Sequence, residues 1–190
     1  MKPVSKIIFG APGSGKGTLA KLARQTGFVH IESGELLRRS RLEPDRVGRG
    51  KLASDENVLN LVGRQMSLSG IRSNFAFDGV PRSKRQARVL LEILQEHGHE
   101  LVTVHVLVDE HIARHRIKER LIKEGRLDDA PKIVNERMDQ FEDYGPVVIA
   151  HLRRFTQVVE IDNNGSPEHA LARFASLLKA RELLHSSVAQ

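Results

Sequence analysis

Hydrophobic positions along the chain follow two spacings. Short apolar runs of strand length fall at Lys6-Ile7-Ile8-Phe9-Gly10 and at residues 28–31, 74–78, 101–108 and 158–161. Between them, apolar residues recur every three or four positions: Leu19, Leu22 and Ala23 in one stretch, and Val58, Leu61, Val62 and Met66 in another. The first pattern ends at Gly27 and the second lies in a helix predicted over 55–69. The same spacing predicts helices over 35–42, 83–97, 110–123, 132–143, 147–154 and 166–184. Strands that are apolar throughout, rather than on alternate residues, are buried on both sides. Five of them separated by helices therefore predict an α/β domain with a five-stranded parallel sheet and helices on both faces.

Two stretches break the alternation. Residues 41–53 carry Pro44, Gly48, Gly50 and the basic residues Arg41, Arg46, Arg49 and Lys51, and residues 124–131 are short and polar. Both read as inserts in a single domain spanning 1–190, and residues 185–190 read as a frayed tail. No internal repeat or low-complexity tract is present.

Composition narrows the possible chemistry. The 190 residues include no Cys, which excludes a disulfide framework, thiolate–zinc and iron–sulfur centres, and a thiol nucleophile. No apolar window reaches membrane-span length. Only Ile7-Ile8-Phe9 precede the first glycine, so no secretory segment is expected and a soluble cytoplasmic protein is. The net charge of +6 is scattered over helices poor in Phe and Tyr rather than gathered in a stripe, and suits a phosphorylated small ligand at least as well as nucleic acid.

The strongest local signal is Gly10-Ala11-Pro12-Gly13-Ser14-Gly15-Lys16-Gly17-Thr18, a phosphate-binding G-x-x-x-x-G-K sequence after a strand and before a helix. Glycines let backbone N–H groups converge on an anion, and the helix start adds positive potential. Lys16 is long enough to reach the β- and γ-phosphates. Gly17 replaces the usual magnesium-binding Ser or Thr, which Thr18 follows, and no guanine-reading Asn-Lys-x-Asp is present. Asp78, closing the run Phe75-Ala76-Phe77-Asp78, stands where a carboxylate organises Mg2+, although a turn-forming Asp has the same local sequence. His111 and His115 share a helix face without a third ligand, and read as surface residues. Met66 and Met138 read as core residues, while His30, His97, His99 and His105 form no recognisable constellation. Asp128-Asp129 read equally well as a helix cap before Pro131 or as carboxylates tethering nearby arginines.

Five segments in order carry a resemblance: Gly13–Thr18; Glu32-Ser33-Gly34-Glu35-Leu36-Leu37-Arg38; Asp78-Gly79-Val80-Pro81-Arg82-Ser83; Gln86-Ala87; and Gly125-Arg126-Leu127-Asp128-Asp129 with Arg137. Together they resemble the nucleoside monophosphate kinases, and the short-lid adenylate kinases most closely, over residues 6–178. The resemblance implies a P-loop nucleoside kinase fold and transfer of the γ-phosphoryl of Mg·ATP to AMP, giving two ADP. It places ATP on Gly13, Ser14, Gly15, Lys16, Gly17, Thr18, Arg120 and Gly165. AMP falls to Ser33, Arg38, Lys51, Leu52, Ala53, Gly79, Val80, Pro81, Arg82, Gln86, Arg126 and Arg137. Lys16, Arg82, Arg120, Arg126 and Arg137 become the catalytic cations, with Thr18 and Asp78 toward Mg2+. Residues 34–69 become the monophosphate-binding region and 124–136 the lid of a monomeric enzyme whose partners are nucleotides.

The chain departs from the family at four positions. Glu32 and Glu35 replace Ser and Asp, Val80 replaces Phe, and Glu124 stands where a lid arginine would stack on ATP. The amide of Gln86 suits an adenine edge. The rival readings are a kinase for CMP, UMP or a deoxynucleotide, and a weakly active nucleotide-binding regulator or RNA-associated protein.

Overall fold

The computed structural model describes residues 2–186; the expected frayed tail from 187 onward lies outside the described residues. Five strands, β1 (Val4–Gly10), β2 (Val29–Glu32), β3 (Phe75–Asp78), β4 (Glu100–Leu107) and β5 (Gln157–Asp162), form one sheet in the order β2-β3-β1-β4-β5. Every neighbouring pair is parallel. The first strand in the chain thus lies at the centre of the sheet, and strands are added on one side of it and then on the other, so ligands meet the sheet beyond its carboxyl edge near that strand.

Alternate residues of β1 face opposite layers. Ile7 and Phe9 join Ile31, Phe75 and Phe77 under α4 (Asp55–Ser69), α5 (Lys84–Glu96) and α7 (Pro131–Leu152). Ile8 joins Ala76, Val104, Val106 and Ile161 under α1 (Lys16–Gln25) and α8 (Pro167–Ser186). The sheet is therefore covered on both faces, as the unbroken apolar runs require. Helix α6 (Glu110–Glu124) contributes Ala113 and Ile117 to a smaller core with Val134 and Met138 of α7. No helix among the described residues is long and apolar enough to cross a membrane.

The helices expected at 132–143 and 147–154 are in fact one, α7, with Pro146 inside it. A mid-helix proline removes an amide donor and costs about 3 kcal/mol. Here the buried residues Val134, Met138, Gly145, Val148 and Leu152 stay in helical register through the proline, so tertiary burial outweighs the local penalty. The insert between residues 41 and 53 also contains an unexpected short helix, α3 (Pro44–Gly48), after α2 (Ser33–Ser40). Glu43 closes this loop: its Oε1 accepts from the Ser54 amide at 2.8 Å and from Asn57 Nδ2 at 2.7 Å, at the start of α4.

Candidate active site

The loop between β1 and α1 curves over the carboxyl edge of the sheet. Gly13 has φ +77° and Gly15 φ +91°, a region that side chains rarely adopt. A Cβ on Gly13 would meet the Ala113 carbonyl at 2.5 Å, and one on Gly15 would meet Asn163 Nδ2 at 2.5 Å. The sequence reading did not mark Asn163. Its side chain comes from just beyond β5 and donates to the buried Ser14 carbonyl at 2.7 Å, bracing the loop from behind. A parallel sheet brings such residues together at its carboxyl edge, the only signal that could have pointed to it.

Lys16 opens α1 and donates from Nζ to the Ala11 carbonyl at 2.8 Å. Burial pushes its amine down to about 8; Asp78 opposes the shift, while Arg82, Arg137 and Arg120 add to it. Burial alone would raise the Asp78 carboxyl, but His30, Lys16 and Arg82 hold it below the usual carboxylate range.

In front of the loop lies a broad cleft that opens to solvent. Lys16, Lys21, Arg38, Lys51, Arg82, Arg116, Arg120, Arg126 and Arg137 border it, against the carboxylates Glu32, Asp78, Glu124 and Asp128. All five cations expected to be catalytic thus share one wall system, as do Gly13, Gly15, Gly17, Thr18, Arg38, Lys51, Ala53 and Gly79. Val80, Pro81 and Leu52 line a narrower recess beside it, with Lys16, Arg82, Arg137, Gln140 and Tyr144. Gln140, also unmarked in the sequence, accepts from the Leu52 amide at 2.9 Å and donates to the Gly50 carbonyl at 3.1 Å, tying the 41–53 insert to α7.

Other expected site residues do not border the cleft. Ser14 is buried within the loop. Ser33 Oγ donates to the Gly79 carbonyl at 2.6 Å, and Arg82 Nε donates to the same oxygen at 2.7 Å. Gln86 is 2% exposed. Its Oε1 accepts from the Arg82 amide at 2.8 Å and its Nε2 donates to Asp55 Oδ1 at 2.8 Å. In this arrangement it shapes the Arg82 turn, and each of its two amide polar atoms already makes one hydrogen bond. Gly165 is exposed, and its carbonyl accepts from Arg116 Nη2 at 3.0 Å. Arg116, one helical turn before Arg120, is the cation beside Gly165 that the sequence reading passed over, whereas Glu124 is an exposed carboxylate at the rim.

Asp128 and Asp129 tether arginines rather than cap α7, whose N-cap, Ala130, makes no side-chain cap bond. Asp129 accepts from Arg120 Nε at 2.6 Å and Nη2 at 2.7 Å, and from Arg137 Nη1 at 3.1 Å. Asp128 accepts from Arg126 at 2.8 and 3.1 Å; burial works against its ionisation, but Arg126, Arg137 and Arg38 hold its carboxyl down at about 2. His30 also departs from expectation: its Nε2 lies 3.9 Å from Asp78 Oδ2. His111 and His115 are exposed, as expected.

A glycine cradle at the carboxyl edge of a parallel sheet, facing convergent guanidinium groups across one cleft, defines a P-loop α/β nucleoside kinase fold. The adenylate kinase family model matches residues 8–157. An adenylate kinase of Hyphomonas neptunium is 34% identical over 184 residues, covering 91% of this chain and 97% of its own. Adenylate kinases of Caulobacter vibrioides (30% over 183 residues; 91% and 96%) and Xanthomonas campestris pv. campestris (31% over 182 residues; 90% and 97%) are also similar. The chain belongs to the adenylate kinase family.

Proposed function

We propose that this protein transfers the γ-phosphoryl of Mg·ATP to AMP, producing two molecules of ADP. The observation that carries this reading is the convergence of Lys16, Arg82, Arg120, Arg126 and Arg137 on one cleft in front of the glycine loop. The AMP phosphate oxygen is already anionic at neutral pH, so attack on the γ-phosphorus needs no general base. As the new P–O bond forms, the bond from the γ-phosphorus to the β,γ-bridging oxygen breaks and ADP leaves with that oxygen. The barrier is set by bringing two polyanions together: a pair of like unit charges 4 Å apart costs about 4 kcal/mol at an effective dielectric near 20. Guanidinium groups remain charged and bind phosphate bidentately, which offsets that repulsion along the whole reaction path.

In this reading the loop from Gly13 to Thr18, with Arg120 and Gly165, holds ATP. Ser33, Arg38, residues 51–53, residues 79–82, Arg126 and Arg137 hold AMP. Gln86 joins that subsite: Arg82 and Asp55 orient its amide, whose second N–H and second oxygen lone pair suit an adenine edge. Mg2+ fits beside Asp78: the carboxylate is ionised, and the absence of a side chain on Gly17, whose Cβ would lie 3.4 Å from Asp78 Oδ2, leaves room there. Thr18 and Asp78 would hold the ion, which neutralises phosphate charge when bound. Residues 34–69 serve as the monophosphate-binding region and 124–136 as the lid, and closure over the cleft keeps water from accepting the phosphoryl group.

The basic side chains concentrated on the cleft support nucleotides, rather than nucleic acid, as partners of a monomeric cytoplasmic enzyme. The naming of the relatives as adenylate kinases favours AMP over CMP or UMP. Measuring ADP release from Mg·ATP with AMP, CMP, UMP and dAMP tests this. AMP should give the highest kcat/KM, and Lys16→Ala should abolish turnover. Preference for a pyrimidine monophosphate, or full activity in Lys16→Ala, would overturn it.

A further inference from the structure

One cluster of chemically capable side chains is left unexplained by phosphoryl transfer. His30 and Glu32 lie two residues apart on β2 and so face the same side of the sheet. Parallel register pairs Glu32 with Asp78 and His30 with Ala76, which brings both side chains to the end of β3. One ligating atom from each of His30, Glu32 and Asp78 lies within 4.8 Å of the other two. The His30 side chain is 10% exposed, and its Nε2 is buried without a hydrogen-bond partner. At 3.9 Å, Asp78 Oδ2 is beyond hydrogen-bond reach of that nitrogen. That separation is still short enough for both atoms to reach one ion at about 2.1 Å each, at a wide angle that closes as the side chains draw in on binding.

We infer that His30, Glu32 and Asp78 form a divalent-cation site that fills without nucleotide and prefers first-row ions such as Mn2+ or Zn2+ to Mg2+. Imidazole nitrogen binds those ions well, whereas Mg2+ favours oxygen and retains its water. Lys16 and Arg82 act on Asp78, and Arg38 Nη2 donates to Glu32 Oε1 at 3.0 Å. These cations weaken attraction by charge alone and so favour an ion held by directed nitrogen and carboxylate bonds. The nucleotide's Mg2+ would arrive with ATP; the protein's own site shares only Asp78 with it.

The test uses the intact protein, Mn2+ alone and no nucleotide, so its outcome is independent of the phosphoryl-transfer reading. Titration followed by electron paramagnetic resonance should show one Mn2+ per chain at sub-millimolar concentration, undisturbed by equimolar Mg2+. Pulsed measurements should detect coupling to a nitrogen nucleus. Glu32→Gln should weaken binding about tenfold or more and keep the coupling, while His30→Gln should lose the coupling. The Glu32 side chain is the more accessible of the pair, so its variant remains decisive even where His30→Gln fails to fold. Absence of saturable binding, binding without nitrogen coupling, displacement by equimolar Mg2+, or unchanged affinity in Glu32→Gln would each overturn the inference.

Discussion

Asp129 is the anchor of the arginine wall, and replacing it with Asn isolates the role of its charge. The side chain is fully buried and lies between three guanidinium groups. It accepts two hydrogen bonds from Arg120 and one from Arg137, and Arg126 Nε lies 3.9 Å away. Asn keeps nearly the same volume but offers one acceptor oxygen and turns an NH2 group toward the cations. Three bonds between ionised partners are lost or left with a neutral acceptor, and the mutual repulsion of the arginines is no longer offset by a carboxylate. Those arginines are partly solvated, which argues for about 1 kcal/mol per bond and a total near 3 kcal/mol, the low end of what breaking a buried pair costs. For a chain of this size that corresponds to a fall of about 6–12 °C in Tm. Calorimetry of the wild type and Asp129→Asn checks the figure. Inorganic tripolyphosphate should restore more of the Tm in the variant than it adds to the wild type, because its oxygens replace the missing carboxylate. A Tm loss below about 2 °C, or equal stabilisation of both proteins by tripolyphosphate, would refute this account of the arginine wall.

Three further outcomes are expected. Because burial pushes the Lys16 amine down to about 8, the nucleotide-free enzyme loses that positive charge as pH rises through this value, and kcat/KM for ATP should fall there; a profile flat to about pH 9.5 would contradict it. Gly13→Ala combines a φ of +77° with a Cβ 2.5 Å from the Ala113 carbonyl, so denaturant unfolding should show a loss of about 2–4 kcal/mol and ATP should bind more weakly. At the opposite edge of the sheet, His99 Nδ1 is 2.9 Å from Ser5 Oγ and its Nε2 is 2.8 Å from the Ile71 carbonyl, and burial lowers its pKa. The folded state therefore favours the neutral ring. Its contribution to stability is complete above the unfolded value near 6.5 and is lost as pH falls below it, so His99→Gln should flatten the fall in unfolding midpoint between about pH 7 and 5.5.

Much of this protein follows from local rules. The apolar runs fix the five strands, of which β1 and β3 are the most deeply buried, and glycine spacing around Lys16 fixes a phosphate loop wherever a strand precedes it and a helix follows. Nearest-neighbour preference could not decide Pro146, because its penalty is local while the compensating burial of Val148 and Leu152 comes from distant elements. Asp128 and Asp129 are similarly ambiguous: a short acidic pair before proline satisfies both readings until α6 and α7 bring Arg120 and Arg137 alongside.

The residues that escaped detection are those whose partners lie far away in sequence. Asn163 supports Ser14 across 149 positions, and Gln140 holds Gly50 across 90. Gln86 shows a related effect: its type suggested a base contact, and folding adds that Arg82 and Asp55 orient its amide. The sequence by itself determined the element types, the anion cradle and the supply of cations, because each depends on spacing within a few residues. Tertiary structure decided which side chains share the cleft, which carboxylates restrain the arginines, and that His30 meets Glu32 and Asp78. Those pairings arise from parallel strand register and helix docking, which no local pattern encodes.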